Sequence, residues 1–102
     1  MRRGEIWWLE EPDDKPRPFL VLARDEIIDR VHDVLAVPVT TTRRGIPTEV
    51  DLDADDGMAR SCVLSVDNLQ PIPRAYCTRR ITTLGPERLD EVCRALHIAV
   101  DC

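Results

Sequence analysis

The clearest helical period in this chain comes last, and it limits what the rest can be. Leu89, Val92, Cys93, Leu96 and Val100 recur at three and four residues and make one apolar face. Gly85 stands at the N-cap and Pro86 at the first helical position. Glu87, Asp90 and Glu91 lie in or near the first turn, where carboxylates suit the positive end of the helix. The spacing predicts a helix that ends near Val100 and packs on a sheet. The preceding segments, short and broken by prolines, supply that sheet.

Read in order, the strands are these. Arg3 to Leu9 is rich in β-formers and sends Trp7 and Trp8 to opposite faces. One indole should enter the core, the other an oligomer interface or a ligand surface. Glu10 to Pro18 is a loop punctuated by Pro12, Pro16 and Pro18. Phe19 to Ala23 (FLVLA) is continuously apolar, as in a strand buried on both faces. Asp25 to Arg30 reads as one helical turn or an irregular link. Asp33 to Val39 is a strand, and Thr48 to Leu52 another. One pairing open to them is a hairpin with each other, turned at Gly45. Asp53 to Arg60 has the carboxylates of a calcium loop without its twelve-residue spacing or terminal Glu, and reads as a turn. Ser61 to Val66 is a strand. Pro71 and Pro73 confine the next piece to a sheet edge or a strand end. Arg79 to Thr82 is the last strand. The expected fold is α+β: one domain over residues 1–102, a small, mostly antiparallel and partly closed β-barrel with a C-terminal helix.

Composition excludes several functions. A net charge of −5 argues against bulk electrostatic affinity for nucleic acid. Thirteen of the 14 basic residues are Arg, however, and Arg suits bidentate phosphate recognition better than Lys. No apolar run reaches membrane-spanning length, and MRRGEIWW has no signal-peptide core after it, so a cytoplasmic location is expected. Cys62, Cys77, Cys93 and Cys102 show no metal-ligand spacing, and His32 and His97 are the only histidines. The expectation is reduced thiols, mostly buried, with no metal and no cofactor. His97, beside the apolar stripe, reads as a half-exposed structural residue.

Polar groups with chemical potential gather in Val34 to Val50 (VLAVPVTTTRRGIPTEV). A buried strand there runs into Thr40, Thr41, Thr42, Arg43 and Arg44. Arg17 stands where a loop enters a central strand, and Pro18 biases it towards extended backbone. Asn68 and Gln70 follow the Ser61 strand. No nucleophile motif, Walker loop or dinucleotide fingerprint is present. Strong hydrogen-bonding groups without a proton-transfer residue suit a phosphodiester, and RNA above all, since its 2′-hydroxyl is an internal nucleophile. The plain alternatives are a solvated loop for the Thr/Arg segment and a surface ion pair for Arg17.

Taken together, RRGEIWWLE, Arg17-Pro18 with FLVLARDE, VLAVPVTTTRRGIPTEVDL with SCVLSVDNLQPIP, and LGPERLDEVCRAL resemble, in order and over nearly the whole chain, the MazF/PemK family of toxin endoribonucleases. The resemblance implies an SH3-like/CcdB-like barrel, a homodimer, and sequence-selective, metal-independent cleavage of single-stranded RNA, mRNA included. The products would be 2′,3′-cyclic phosphate and 5′-hydroxyl ends. It implies Arg17 and Thr40 as the catalytic pair. Thr41, Thr42, Arg43, Arg44, Asn68 and Gln70 become candidates for holding and reading RNA. It also implies a cognate antitoxin, MazE-like or of another small class, whose C-terminal segment covers the site. The loop Glu10 to Pro16 departs from the family: it is short, lacks Gly, and offers Glu11, Asp13 or Asp14 as an acidic helper. The rival on a related frame is a non-enzymatic, CcdB-like inhibitor of a protein such as gyrase. Such an inhibitor has no need of Arg17 with Thr40.

Overall fold

The apolar run at Phe19 becomes the middle of the fold, as its composition demands. In the computed structural model, which describes residues 1–101, β2 (Arg17–Val21) lies between β1 (Glu5–Leu9) and β3 (Asp33–Thr40). Its side chains alternate between two apolar clusters. Leu20 joins Ile6, Val37, Leu64 and Val92 on one face, while Phe19 and Val21 join Leu9, Ile28, Val34 and Ile72 on the other. A strand buried on both faces needs an unbroken apolar run, and Phe19 to Val21 are all fully buried.

The remaining elements are α1 (Asp25–Ile28), β4 (Glu49–Leu52), β5 (Cys62–Ser65), β6 (Gln70–Pro73), β7 (Cys77–Thr83) and α2 (Pro86–Val100). Every strand pair is antiparallel, in the order β4-β5-β3-β2-β1-β7, with β6 also on β3. β5 and β6 follow one another along the edge of β3 that faces away from β2. A three-residue 3₁₀ turn, Val66–Asn68, separates them. The prolines of β6 pair only with β3, so Pro71 and Pro73 do sit on a sheet edge.

The antiparallel sheet with one C-terminal helix is the α+β fold expected, but the barrel does not close. β4 and β7, the two ends of the sheet, form no ladder. They meet through the 3₁₀ turn Ala54–Asp56 after β4, where Thr82 Oγ1 donates to the Asp56 carbonyl at 2.8 Å. Gly57 makes that approach possible. Its φ is +91°, and a Cβ there would stand 2.3 Å from Thr82 Oγ1. The acidic segment is therefore a turn, as its spacing indicated.

Three expectations need correction. The hairpin between β3 and β4 does not form. β5 lies between them, pairing Val39 with Leu64 on one side and Val50 with Leu64 on the other. Gly45 does take a left-handed φ of +67°, but inside a loop rather than a tight hairpin turn. The buried face of α2 is also rotated. Val92 and Ala95 are buried, with Leu89, Leu96 and Ala99 packed around them, whereas Cys93 and Val100 are exposed. Cys93 lies about 100° round the helix from Val92, and the small alanines let the helix approach the sheet. The cysteines, finally, are not mostly buried. Cys62 is buried, Cys77 half-buried and Cys93 exposed, while Cys102 lies outside the described residues. Burial raises the thiol pKa of Cys62 and Cys77, which keeps both poor nucleophiles.

Both tryptophans are half-buried. Trp7 packs against the cluster around Phe19, and its indole N–H donates to Glu5 at 3.0 Å. Trp8 points the other way and carries the Arg79 guanidinium 6.0 Å from its ring. His97 is exposed.

Candidate active site

Arg17 and Thr40 stand at the same end of two paired strands. β2 and β3 pair Val21 with Ala36, Leu20 with Val37 and Phe19 with Pro38. The pairing stops there, and Arg17, the first residue of β2, and Thr40, the last of β3, each lie two residues beyond that last pair. On its other edge Thr40 pairs with Val63, and Val63 in turn with Asp51. Thr40, Val63 and Asp51 thus form one row across three strands, and Arg17 lies on the strand that pairs with the other edge of β3.

Arg17 is exposed and, among the described residues, makes no ion pair. Its guanidinium carbon lies 5.5 Å from the centre of the Phe19 ring. The surface ion pair that the sequence left open does not form. Thr40 is half-buried, and its Oγ1 accepts a hydrogen bond from the Thr42 amide at 3.1 Å. That bond orients the oxygen and leaves the hydroxyl proton free to donate.

The other polar candidates divide. Arg43 folds back over β4 and β5, where it ion-pairs with Asp51 and donates to Ser61 Oγ at 2.6 Å. Its charge is neutralised within the chain, one strand beyond Val63. Arg44 is exposed, and its backbone N–H donates to both Glu49 oxygens at 3.0 and 3.1 Å. The Gly45 N–H adds a further bond to Glu49 at 3.0 Å. Thr41 and Thr42 are exposed on the same loop. Asn68 donates to Ser65 Oγ at 2.7 Å, and Gln70 to the Asn68 carbonyl at 3.1 Å. Gln70 pairs with Ala36, so it stands about 13 Å down β3 from Thr40. Asn68 and Gln70 flank the Arg17–Thr40 pair without joining it.

The acidic loop before β2 places no carboxylate on Arg17 among the described residues. Asp14 caps the Lys15 amide at 2.8 Å. Asp13 takes a φ of +62°, the left-handed position a glycine would ordinarily fill. Glu11 is half-buried on the side of Cys77, whose thiol it helps to raise after burial itself.

Sequence reasoning missed the residues that hold this site in shape. Glu49 anchors the Thr/Arg loop, Asp51 and Ser61 hold Arg43, and the Thr48 hydroxyl bonds Asp67. The available signal was the two-residue period of Glu49 and Asp51, which puts both on one face beside Ser65 and Val63. Their partners lie from four residues away, for Glu49 and Gly45, to 19, for Thr48 and Asp67, and nothing in the sequence marked the pairings.

The sequence pattern of the PemK-like, MazF-like toxins of type II toxin–antitoxin systems matches residues 2–100. The chain is 44% identical over 103 residues to "Probable endoribonuclease MazF2" of Mycobacterium tuberculosis, with 100% of both chains covered. It is similar in structure to the Mycobacterium tuberculosis toxin MazF-mt6, with a TM-score of 0.86 and 35% identity over 95% of this chain and 96% of that one. A MazE-MazF crystal structure from Deinococcus radiodurans superposes with a TM-score of 0.84 at 25% identity, over 99% of this chain and 96% of that one.

Proposed function

The chain belongs to the PemK-like, MazF-like toxin family, and from that premise we propose that it is a MazF-type endoribonuclease toxin that cleaves single-stranded RNA. The observation that supports this reading is an exposed Arg17 guanidinium, without an ion pair among the described residues, at the start of β2, on the strand paired with the one that ends in Thr40.

The chemistry follows from those two groups. The RNA 2′-oxygen attacks the adjacent phosphorus, the bond to the 5′-oxygen breaks, and a 2′,3′-cyclic phosphate and a 5′-hydroxyl result. The proton lost from the 2′-oxygen is balanced by the proton gained by the departing 5′-oxygen. Negative charge grows on the phosphoryl oxygens as this happens. Arg17 offers a permanent cation and a planar set of donors to that charge. Its pKa makes it a poor base, so its part is electrostatic. Thr40 donates its free hydroxyl proton to the phosphate or orients the 2′-oxygen. Arg44, Thr41 and Thr42 extend the binding surface along the loop, with Asn68 and Gln70 on the far side. Arg43 acts there only when RNA displaces Asp51.

This reading includes one toxin domain, a homodimer, a cytoplasmic location and a cognate antitoxin, MazE-like or of another small class. A type II system pairs each toxin with a protein antitoxin, and the family supports this. Among the described residues no helix is long and apolar enough to cross a membrane. A CcdB-like inhibitor of a protein target leaves Arg17 and Thr40 without a task.

The test is cleavage of a mixed-sequence single-stranded RNA by purified protein in EDTA. The expected products carry 5′-hydroxyl ends and cluster at a short sequence. Intact RNA, or cleavage that needs added metal, overturns the reading.

A further inference from the structure

Arg17 poses a problem of position. A flexible side chain at an exposed strand end loses conformational freedom when it must hold a phosphate in one geometry. An ion pair would fix it but would also spend its charge, as Asp51 does for Arg43. Arg17 has no such partner among the described residues. Its neighbour is a ring. Phe19 lies two residues along the same strand, on the same face, and the guanidinium carbon sits 5.5 Å from its centre.

That ring cannot move. Phe19 has 0% exposure, its strand partners are Trp7 on β1 and Pro38 on β3, and it belongs to the cluster with Leu9, Val21 and Ala36. Trp7 is itself held by Glu5, whose carboxylate also takes the Arg80 guanidinium at 3.1 Å. A fixed aromatic face attracts a cation through its quadrupole and leaves the net charge in place.

On the reading of Arg17 as the phosphate-binding cation, we infer that Phe19 is a positioning residue that holds the Arg17 guanidinium in place without neutralising it. Phe19 does not touch the RNA. It acts through Arg17 by lowering the entropy lost when the charge meets the phosphate in the transition state.

The experiment compares wild type, Phe19→Met, Phe19→Leu, Arg17→Ala and the double variant Phe19→Met/Arg17→Ala. Single-turnover cleavage of one RNA oligonucleotide gives the rate and the half-saturating concentration, and thermal melts establish that each variant is folded at the assay temperature. Methionine keeps most of the ring's bulk and leucine its apolar character, so the pair covers failure of either to fold. Both Phe19 variants should cleave about 3- to 10-fold more slowly, the range expected for loss of a partly desolvated cation–π contact. Half-saturation should change less than the rate. In the Arg17→Ala background, Phe19→Met should cause no further loss. A wild-type rate in both Phe19 variants overturns the inference. So does an equal loss with and without Arg17, because that marks the ring as structural only. The parent reading fails by a different result, a wild-type rate in Arg17→Ala alone, and that result removes the inference with it.

Discussion

Two arginines, one on the helix and one at the start of a central strand, show how differently one side chain is used. Arg88, in the first turn of α2, donates to Asp56 at 3.1 Å and to Glu91 at 2.8 Å. Those bonds raise its pKa further above its ordinary value. It lines a cavity of about 660 Å³ together with Asp55, Asp56, Glu87, Glu91 and Arg94. Arg17 does not line that cavity and, among the described residues, has no carboxylate partner and lies against the Phe19 ring. That cavity sets four carboxylates, Asp55, Asp56, Glu87 and Glu91, against two arginines, Arg88 and Arg94, and Arg88 is already satisfied, so its balance of charge disfavours a phosphate. The open rim has charge to give. Size of cavity and capacity for chemistry point to different places, and charge already neutralised explains the difference.

The comparison breaks first on cleavage rate. Arg17→Ala should lower RNA cleavage about 10²-fold or more with little change in melting temperature, the scale of one lost transition-state charge contact. Arg88→Ala should do the reverse. It leaves the Asp56 carboxylate, 12% exposed, without its cation, and should cost about 1.5–3 kcal/mol of stability in a denaturant titration. Its cleavage rate should stay within about twofold of wild type. A large rate loss in Arg88→Ala with stability intact would move the site to the cavity.

Thr40→Val sharpens the picture of the rim. It keeps the shape and removes the hydroxyl, so cleavage should fall about 10-fold, the scale of one hydrogen bond made in the transition state. An unchanged rate would leave Arg17 to act without it.

The smallest expected effect is on acid stability. Burial works to raise the Asp56 pKa, but hydrogen bonds from Arg88 and the Asp53 amide outweigh it, and the carboxyl sits below its ordinary value. Glu5 is likewise opposed by burial and lowered on balance, by Trp7, the Arg2 amide and Arg80. A lowered folded-state pKa contributes stability above the unfolded value, and that contribution fades as pH falls through the folded value. Melting temperature should therefore drop once pH passes below about 4, where the unfolded carboxyls begin to bind protons. Asp56→Asn should flatten part of that drop. An equally steep drop in the variant would place the acid-sensitive groups elsewhere.

Much of this molecule was legible in its sequence because the signals are local. FLVLA specified a strand buried on both faces; the strand runs from Arg17 to Val21, with Leu22 and Ala23 past its end, and Leu20 and Phe19 do face opposite clusters. Gly85 and Pro86 marked the start of α2. Pro71 and Pro73 marked an edge, and the ordered motifs from Arg17-Pro18 to SCVLSVDNLQPIP marked the family. A buried run, a cap and a missing N–H each act over a few residues, so each can be read from the chain.

Tertiary structure alone decided which groups meet. The sequence could not say that β5 would part β3 from β4, because strand pairing depends on burial summed over the whole sheet. Nor could it say that α2 would bury Ala95 rather than Cys93, since that turns on how closely the helix approaches the sheet. The same holds at the rim. Arg43 and Arg17 look alike as residues beside clustered polar groups, and only the fold gives one of them Asp51 and the other Phe19. Whether an arginine keeps its charge available depends on which groups lie within a few ångströms, and the backbone course set by folding fixes those distances, even for partners two or eight residues away.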